Sequence, residues 1–213
     1  MGRRNDHTRE ELHEMVLDAA QGIVEAEGLR GLSTRRIARE VGYSSGTIYN
    51  VFEDLDDLII QLSNRTLDML YAEVSVIGTG KRQDARLREL ADAYIRFTFD
   101  HPLLWDGVFE HRLPAGREMP ESYSQRIVRL LDLVAAAFEP YFGPGQEQAC
   151  MHSARVLWAS FYGICQLERI GKRGEKHITL GDMIDILITT HLAGLEALRG
   201  KAKRSFSPQS SSG

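Results

Sequence analysis

Apolar residues recur three and four positions apart through most of this 213-residue chain, which is the spacing of amphipathic helices. The spacing predicts a first helix ending at Glu27-Gly28, with apolar positions Leu12, Met15, Val16, Ala19, Ala20 and Ile23. Further helices are predicted over 55–76, 87–98, 103–109, 123–138, 147–170 and 180–198. Apolar and polar residues do not alternate over any useful length, so the predicted fold class is all-α.

The stretch 32–52 predicts two short helices joined by a glycine turn. Ser33 or Thr34 can supply the oxygen that caps the first helix. The apolar positions that follow at helical spacing are Ile37, Ala38 and Val41. Gly42 then stands where the left-handed conformation that ends a helix is least costly.

The second helix of this stretch has one apolar and one polar side. Ser44 or Ser45 can cap it, and Ile48 and Phe52 lie four apart and face inward. The side turned to solvent carries Gly46, Thr47, Tyr49 and Asn50. Small or hydrogen-bonding side chains of this kind can reach base edges and phosphates without clashing. The stretch is therefore interpreted as a helix-turn-helix.

Over roughly 12–62 the chain resembles the DNA-binding domain of the tetracycline-repressor (TetR) family of bacterial transcription regulators. The resemblance rests on Thr34, Ile37 and Ala38 in the first helix, Val41-Gly42 in the turn, and G-T-I-Y-x-x-F over 46–52. It implies an N-terminal three-helix DNA-binding domain followed by a larger helical ligand-binding and dimerisation domain. The expected boundaries are 1–53 for the first, 54–200 for the second, and 201–213 for a disordered tail.

The resemblance also implies which residues contact DNA. Arg35 occupies a position from which family members reach a guanine edge, and a bidentate arginine–guanine pair contributes roughly 1–3 kcal/mol of discrimination. The positions that match phosphate-gripping residues are Thr34, Thr47 and Tyr49. The positions that match base-facing residues are Ser45, Gly46 and Asn50. For each of these polar residues, the alternative is a solvent-exposed side chain that makes no contact with DNA.

One position departs from the family pattern. Where the family commonly has a lysine that contacts a phosphate, this chain has Leu55, and its neighbours are Glu53, Asp54 and Asp56. The helix N-terminus still offers backbone N–H groups to a phosphate, but the acidic side chains oppose the contact. The basic residues expected to compensate are Arg3, Arg4 and Arg36.

The formal net charge of −4 does not exclude DNA binding. Between residues 29 and 52 the chain carries Arg30, Arg35, Arg36 and Arg39 against a single acid, Glu40. Salt screens charges beyond about 8 Å at physiological ionic strength, so DNA binding depends on the charge of the residues near the phosphates.

Several classes of function lack support in the sequence. No apolar run approaches the roughly 20 residues of a membrane span, and the N-terminus has no signal-peptide core, so a cytoplasmic location is expected. Cys150 and Cys165 are expected to be free thiols. No nucleophile–base pair, glycine-rich phosphate loop or metal-binding spacing appears, so no catalytic residue, metal or cofactor is predicted.

The second half is expected to hold an effector pocket and a dimer interface. The aromatic and sulfur-containing pocket candidates are Trp105, Phe109, Met119, Tyr123, Met151, Trp158, Phe161 and Tyr162. Plain core packing is the alternative for each of them. The last two long helices carry the residues predicted at the interface, which are Trp158, Ile164, Leu167, Ile184, Leu187, Ile188, Leu192 and Leu195.

These observations predict a ligand-responsive transcriptional regulator, expected to be a repressor. It would bind a palindromic double-stranded DNA operator as a homodimer and be released by a small apolar or aromatic effector. The alternative is a helical interaction protein whose helix-turn-helix no longer binds an operator, a hypothesis that the acidic neighbours of Leu55 keep open.

Overall fold

The structure, a computed structural model, describes residues 7–78, 80, 82–171 and 178–205. Every regular element in these ranges is a helix, which confirms the predicted all-α class. The α-helices are α1 (Arg9–Glu27), α2 (Thr34–Val41), α3 (Ser45–Ile48), α4 (Leu55–Ser75), α5 (Gln83–Asp100), α6 (Pro102–Glu110), α7 (Glu121–Ala135), α8 (Glu147–Arg169) and α9 (Leu180–Ser205). Short 3-10 segments occupy Leu29–Gly31 and Glu139–Tyr141.

Three helix ends differ from the prediction by three residues or more, and the first is the start of α5, which lies at Gln83 rather than at Leu87. α7 ends at Ala135 because the chain tightens there, and Phe138 N–H donates to the Ala135 carbonyl at 2.7 Å. This turn places the Phe138 ring in the core, fully buried. α9 continues to Ser205, through the first five residues of the predicted tail, which are good helix formers apart from Ser205. The rest of that tail, the arm with Arg3 and Arg4, and residues 172–177 of the last loop lie outside the described residues.

The chain packs into two compact units. Unit 1 comprises residues 1–72 and 97–127, and unit 2 comprises residues 73–96 and 128–213. Unit 1 therefore contains the helix-turn-helix together with α6 and the loop that follows it. The boundary at residue 53 divides the chain by expected function, and it stays a prediction.

The core of unit 1 fixes the helix-turn-helix. Ile37 of α2 and Ile48 of α3 are at most 1% exposed, and Phe52 is 2% exposed. They pack with apolar residues of α1 and α4 and with Leu104 of α6. Burying one such side chain stabilises the fold by about 1.5–3 kcal/mol. This core therefore holds α3 at a fixed angle to the rest of unit 1.

The core of unit 2 includes the contact between α8 and α9. Its buried residues include Leu157 and Phe161 of α8 and Ile184 and Ile188 of α9. Ser153 Oγ lies 2.8 Å from His191 Nε2 across the same contact. Ile188 is completely buried within one protomer, so it has no surface left to give to a partner, and Ile184 and Leu195 are nearly so. For these three residues the predicted interface assignment is wrong.

Candidate nucleic-acid interface

α2 is defined by a cap at each end. Ser33 takes an extended conformation and its Oγ accepts a hydrogen bond from the Arg36 N–H at 3.3 Å, so Ser33 rather than Thr34 is the cap. At the other end Gly42 adopts φ 74° and ψ 25°. Tyr43 N–H then donates to the Ala38 carbonyl at 2.9 Å, which closes the turn. The glycine turn predicted from the sequence is confirmed.

α3 is a single helical turn followed by further turns. Ser44 caps it, because its Oγ accepts from the Thr47 N–H at 3.2 Å. Phe52 N–H donates to the Ile48 carbonyl at 3.1 Å, so the chain stays coiled to residue 52. We call residues 45–52 the recognition segment. Ile48 and Phe52 anchor it in the core, and Gly46, Tyr49 and Asn50 are exposed, as predicted.

A groove of about 630 Å³ lies between α2 and the start of the recognition segment. It is lined by Ser33, Arg35, Arg36, Ala38, Arg39, Tyr43, Ser44 and Ser45. Arg39, Tyr43 and Ser44 are absent from the predicted contact residues. The signal for Arg39 was available, since it follows Arg35 by four positions and shares its helix face. The two arginines give the groove a positive wall.

Two residues predicted to hold phosphates are brought together. Thr34 Oγ1 and the Tyr49 hydroxyl lie 3.3 Å apart, which joins the start of α2 to the recognition segment. The Tyr49 side chain remains 52% exposed. The two hydroxyls therefore lie side by side, and Thr47 of α3 precedes Tyr49 by two residues in the chain.

Arg36 has a different environment from Arg35. Its Nη1 and Nη2 donate to Glu27 Oε2 and Oε1 at 2.5 and 2.6 Å. This hydrogen bonding raises the pKa of Arg36 and lowers the pKa of Glu27. Arg35 is exposed on α2. A phosphate would have to compete with Glu27 for Arg36, whereas Arg35 points to solvent.

Leu55 does not face the groove. It is half-buried and packs against the apolar core of unit 1. The first turn of α4 is therefore acidic at its surface, with Asp54 as its cap: Asp54 Oδ1 accepts from the Asp57 N–H at 2.7 Å. Packing of its side chain against the core accounts for the leucine at this position.

Comparison with known families separates the chain into two matched regions. Residues 16–62 match the family described as bacterial regulatory proteins, tetR family, and residues 87–190 match the tetracyclin repressor-like C-terminal domain. The chain belongs to the TetR family of transcriptional regulators. The resemblance drawn from the helix-turn-helix is confirmed, and TetR proteins are DNA-binding regulators rather than enzymes.

Individual proteins are similar to the chain over most of its length. The chain is 25% identical to the uncharacterized HTH-type transcriptional regulator YobS of Bacillus subtilis over 85% of this chain and 91% of that protein. A protein with unknown function from Rhodococcus sp. RHA1 has the same fold, with a TM-score of 0.72, 23% identity, and coverage of 92% and 100%. A TetR-like transcriptional regulator from Rhodococcus sp. RHA1 superposes with a TM-score of 0.57 at 19% identity, covering 89% and 98%.

Four of the predicted effector residues fall in unit 1. Trp105 is 2% exposed, and its ring meets that of Phe109 nearly edge-on at 5.0 Å. The Tyr123 hydroxyl donates to the Val108 carbonyl at 3.0 Å, and burial raises the pKa of Tyr123. Met119 is half-buried in the loop after α6. Their role in effector binding stays a prediction.

The other four predicted effector residues fall in unit 2. The rings of Trp158 and Tyr162 lie 6.2 Å apart on one side of α8, and Phe161 is buried in the core. Met151 lines a cavity of about 690 Å³. The remaining lining residues are Asp132, Ala135, Ala136, Glu139, Phe142, Gly143, Pro144, Gln146, Glu147 and Cys150. The cavity combines apolar surface with three carboxylates.

The cysteine of this cavity is buried. Cys150 is 6% exposed and its Sγ lies 3.3 Å from the Ala135 carbonyl oxygen. Burial raises the pKa of the Cys150 thiol, and the negative charge of Glu139 raises it further. Within the described ranges, no group of three or more His, Cys, Asp or Glu side chains is arranged to hold a metal, and no helix has the length and apolar character to cross a membrane.

Proposed function

We propose that this TetR-family regulator is a cytoplasmic repressor that binds a palindromic operator as a homodimer and is released by a small apolar or aromatic effector. The observation that carries the proposal is the groove between α2 and the recognition segment. Arg35 and Arg39 form its wall, and Ile48 and Phe52 hold the segment in place from behind.

The proposed division of labour at DNA follows from exposure and chemistry. Thr34, Thr47 and Tyr49 offer hydroxyls for phosphates, which fix the position of the protein on the duplex. Arg35, Ser45, Gly46 and Asn50 are proposed to face base edges, where sequence is read. Arg36 is proposed to act mainly on α2, because its guanidinium is engaged with Glu27.

Support for a homodimer comes from apolar surface on unit 2. Val156 and Leu167 of α8 are 59% and 44% exposed, and Ile170, the residue that follows α8, is 57% exposed. Their spacing places them on one face. On α9, Ile186 is 59% exposed and Ala193 lies on the same side. A two-fold dimer would cover these faces and would present two recognition segments to two half-sites.

Support for effector control comes from the position of α6 in unit 1. A Cβ added at Gly28, which has φ 69° and ends α1, would meet Leu103 Cδ2 of α6 at 3.7 Å. A Cβ added at Gly107 of α6 would meet Leu29 Cδ2 at 3.5 Å. Since α6 rests on the residues that lead into α2, a shift of α6 would be transmitted to the groove. An effector that stabilises the shifted position of α6 would lower DNA affinity.

A gel shift with a salt series tests the proposal. The probe is the intergenic DNA upstream of the gene itself, with excess nonspecific competitor, followed by selection from random sequences if that DNA is not bound. We expect a specific complex that weakens steeply with salt, because bound phosphates release counterions. Absence of a specific complex in both experiments would contradict the proposal and favour an interaction protein with a degenerate helix-turn-helix.

A further inference from the structure

The first turn of α4 places negative charge beside the recognition segment. Four carboxylates, those of Glu53, Asp54, Asp56 and Asp57, follow directly after Phe52, where that segment ends. At low salt the screening length reaches about 30 Å, so carboxylates this near along the chain act on a phosphate bound by the segment. Uncompensated, these carboxylates would repel the DNA backbone that the groove has to attract.

The loop between α6 and α7 carries a positive side chain to this turn. Arg117 N–H donates to the Pro114 carbonyl at 3.1 Å, and Gly116 between them has φ 87°. A four-residue turn with a positive φ at its third position favours glycine there. The turn ends at Arg117 and fixes the position from which its side chain extends.

The Arg117 guanidinium meets three of the four carboxylates. Its Nη1 lies 2.6 Å from Asp54 Oδ2 and 3.7 Å from Asp56 Oδ2, and its Nη2 lies 4.0 Å from Glu53 Oε2. His111 of the same loop also approaches, with Nε2 3.2 Å from Asp56 Oδ1. The first turn of α4 is therefore paired with the loop after α6 within a single compact unit.

Asp54 has two partners, one on each oxygen. Its Oδ1 accepts from the Asp57 N–H and caps α4, while its Oδ2 accepts from Arg117. The hydrogen bond from the Asp57 backbone and then the pairing with Arg117 lower the pKa of Asp54, so it stays ionised near neutral pH. An ionised Asp54 needs a cation beside it if phosphates are to approach.

We propose that Arg117 is a positioning residue for DNA binding, whose guanidinium neutralises the acidic first turn of α4 and ties the loop after α6 to it. The residue touches no DNA itself. This inference rests on DNA binding by the groove and is independent of any operator sequence.

The test uses the full chain and a mixed-sequence DNA duplex, with affinity measured by fluorescence anisotropy across a salt series. Arg117→Gln is compared with Arg112→Gln, which removes the same charge from an exposed position of the same loop. We expect Arg117→Gln to weaken binding about three- to tenfold at low salt, with a difference that shrinks as salt rises, and Arg112→Gln to change it much less. Arg117→Lys, which keeps the charge, should retain most of the affinity.

A second substitution separates charge from folding. Asp54→Asn keeps a side-chain oxygen for the cap but removes the negative charge. In the Arg117→Gln background it should restore most of the lost affinity. Equal effects of Arg117→Gln and Arg112→Gln, or no recovery in the double variant, would overturn the proposal. Failure of the unaltered protein to bind any duplex at low salt would instead overturn DNA binding itself.

Discussion

The guanidinium of Arg36 and the carboxylate of Glu27 form a two-point ion pair that joins the last residue of α1 to the first turn of α2. The pair closes over Gly31, and a Cβ added there would meet the Glu27 Cβ at 2.8 Å. That separation is too short for two carbons, so the close approach of the two helices requires glycine at this position. The ion pair and the glycine together hold the end of α1 close to the first turn of α2.

The Glu27–Arg36 pair is predicted to make the stability of the folded protein depend on pH. Because Arg36 lowers the pKa of Glu27 below its usual 4.5, the pair stabilises the folded state above that pH and stops doing so as pH falls through the lowered value. We expect Glu27→Gln to lower the melting temperature slightly at neutral pH and to match the unaltered protein in acid. Thermal unfolding at several pH values measures this. A difference that persists unchanged at the most acidic pH would contradict the assignment.

Gly46 is predicted to matter for DNA and not for folding. A Cβ added there would meet Ser44 Oγ at 3.7 Å, an ordinary contact, so the folded protein has room for a side chain. We expect Gly46→Ala to leave the melting temperature unchanged or raised, and to weaken operator binding about tenfold because the added methyl group keeps the segment away from the bases. Gly22→Ala on the exposed side of α1 is the control, with up to about 1 kcal/mol of added stability and unchanged affinity.

Substitutions of Tyr49 and of Arg35 are predicted to affect DNA binding in different ways. Loss of a phosphate contact weakens binding to all sequences alike, whereas loss of a base contact relaxes preference at one base pair by about 1–3 kcal/mol. We therefore expect Tyr49→Ala to lower affinity uniformly and Arg35→Ala to lower affinity and broaden the selected operator. Selection from random sequences distinguishes the two, with Arg30→Ala, exposed and outside the groove, as the control. Unaltered operator affinity in both variants would place the DNA-binding face elsewhere.

The exposed face of α8 is predicted to hold two protomers together. Leu167→Glu would place a carboxylate in the proposed interface, where burying an unpaired charge costs several kcal/mol. We expect a monomer by light scattering and loss of cooperative operator binding. Val76→Glu, at a site that is 80% exposed just after α4, should remain dimeric. If both variants keep the mass of a dimer, the interface lies on another surface.

Cys150 is predicted to react slowly although it lines a cavity. Since burial and Glu139 raise the pKa of its thiol, the thiolate fraction is small at about pH 8. In a Cys165→Ala background, alkylation of Cys150 by iodoacetamide should be much slower in the folded protein than in urea. An equal rate in both states would show that the thiol is exposed and ionised, contrary to the structure.

The sequence predicted most of the local structure in the helix-turn-helix because its signals are local. Gly42 ends α2 and Ile48 and Phe52 face inward, as their spacing and residue types indicate. The choice of cap was left open between neighbours, Ser33 or Thr34 and Ser44 or Ser45, because each pair offers similar hydroxyls. Backbone conformation selected the first of each pair.

What the sequence could not predict depends on which helix packs against which. Periodicity marks Ile184 and Ile188 as apolar face residues, but it does not distinguish a face covered within the protomer from one covered by a partner. Arg117 and Asp54 are 63 positions apart, and no local pattern relates them. From the sequence, Leu55 indicates the loss of a phosphate contact, whereas the structure shows its side chain packed against the core of unit 1.

The single helical turn of α3 limits how much sequence one protomer can read. Few side chains reach the bases from so short an element, so one half-site carries little information about its place in a genome. In the proposed homodimer, the remainder comes from requiring two half-sites at a set separation. The relative placement of the two protomers would then be part of target choice, and substitutions far from DNA that change only this placement would change which promoters respond.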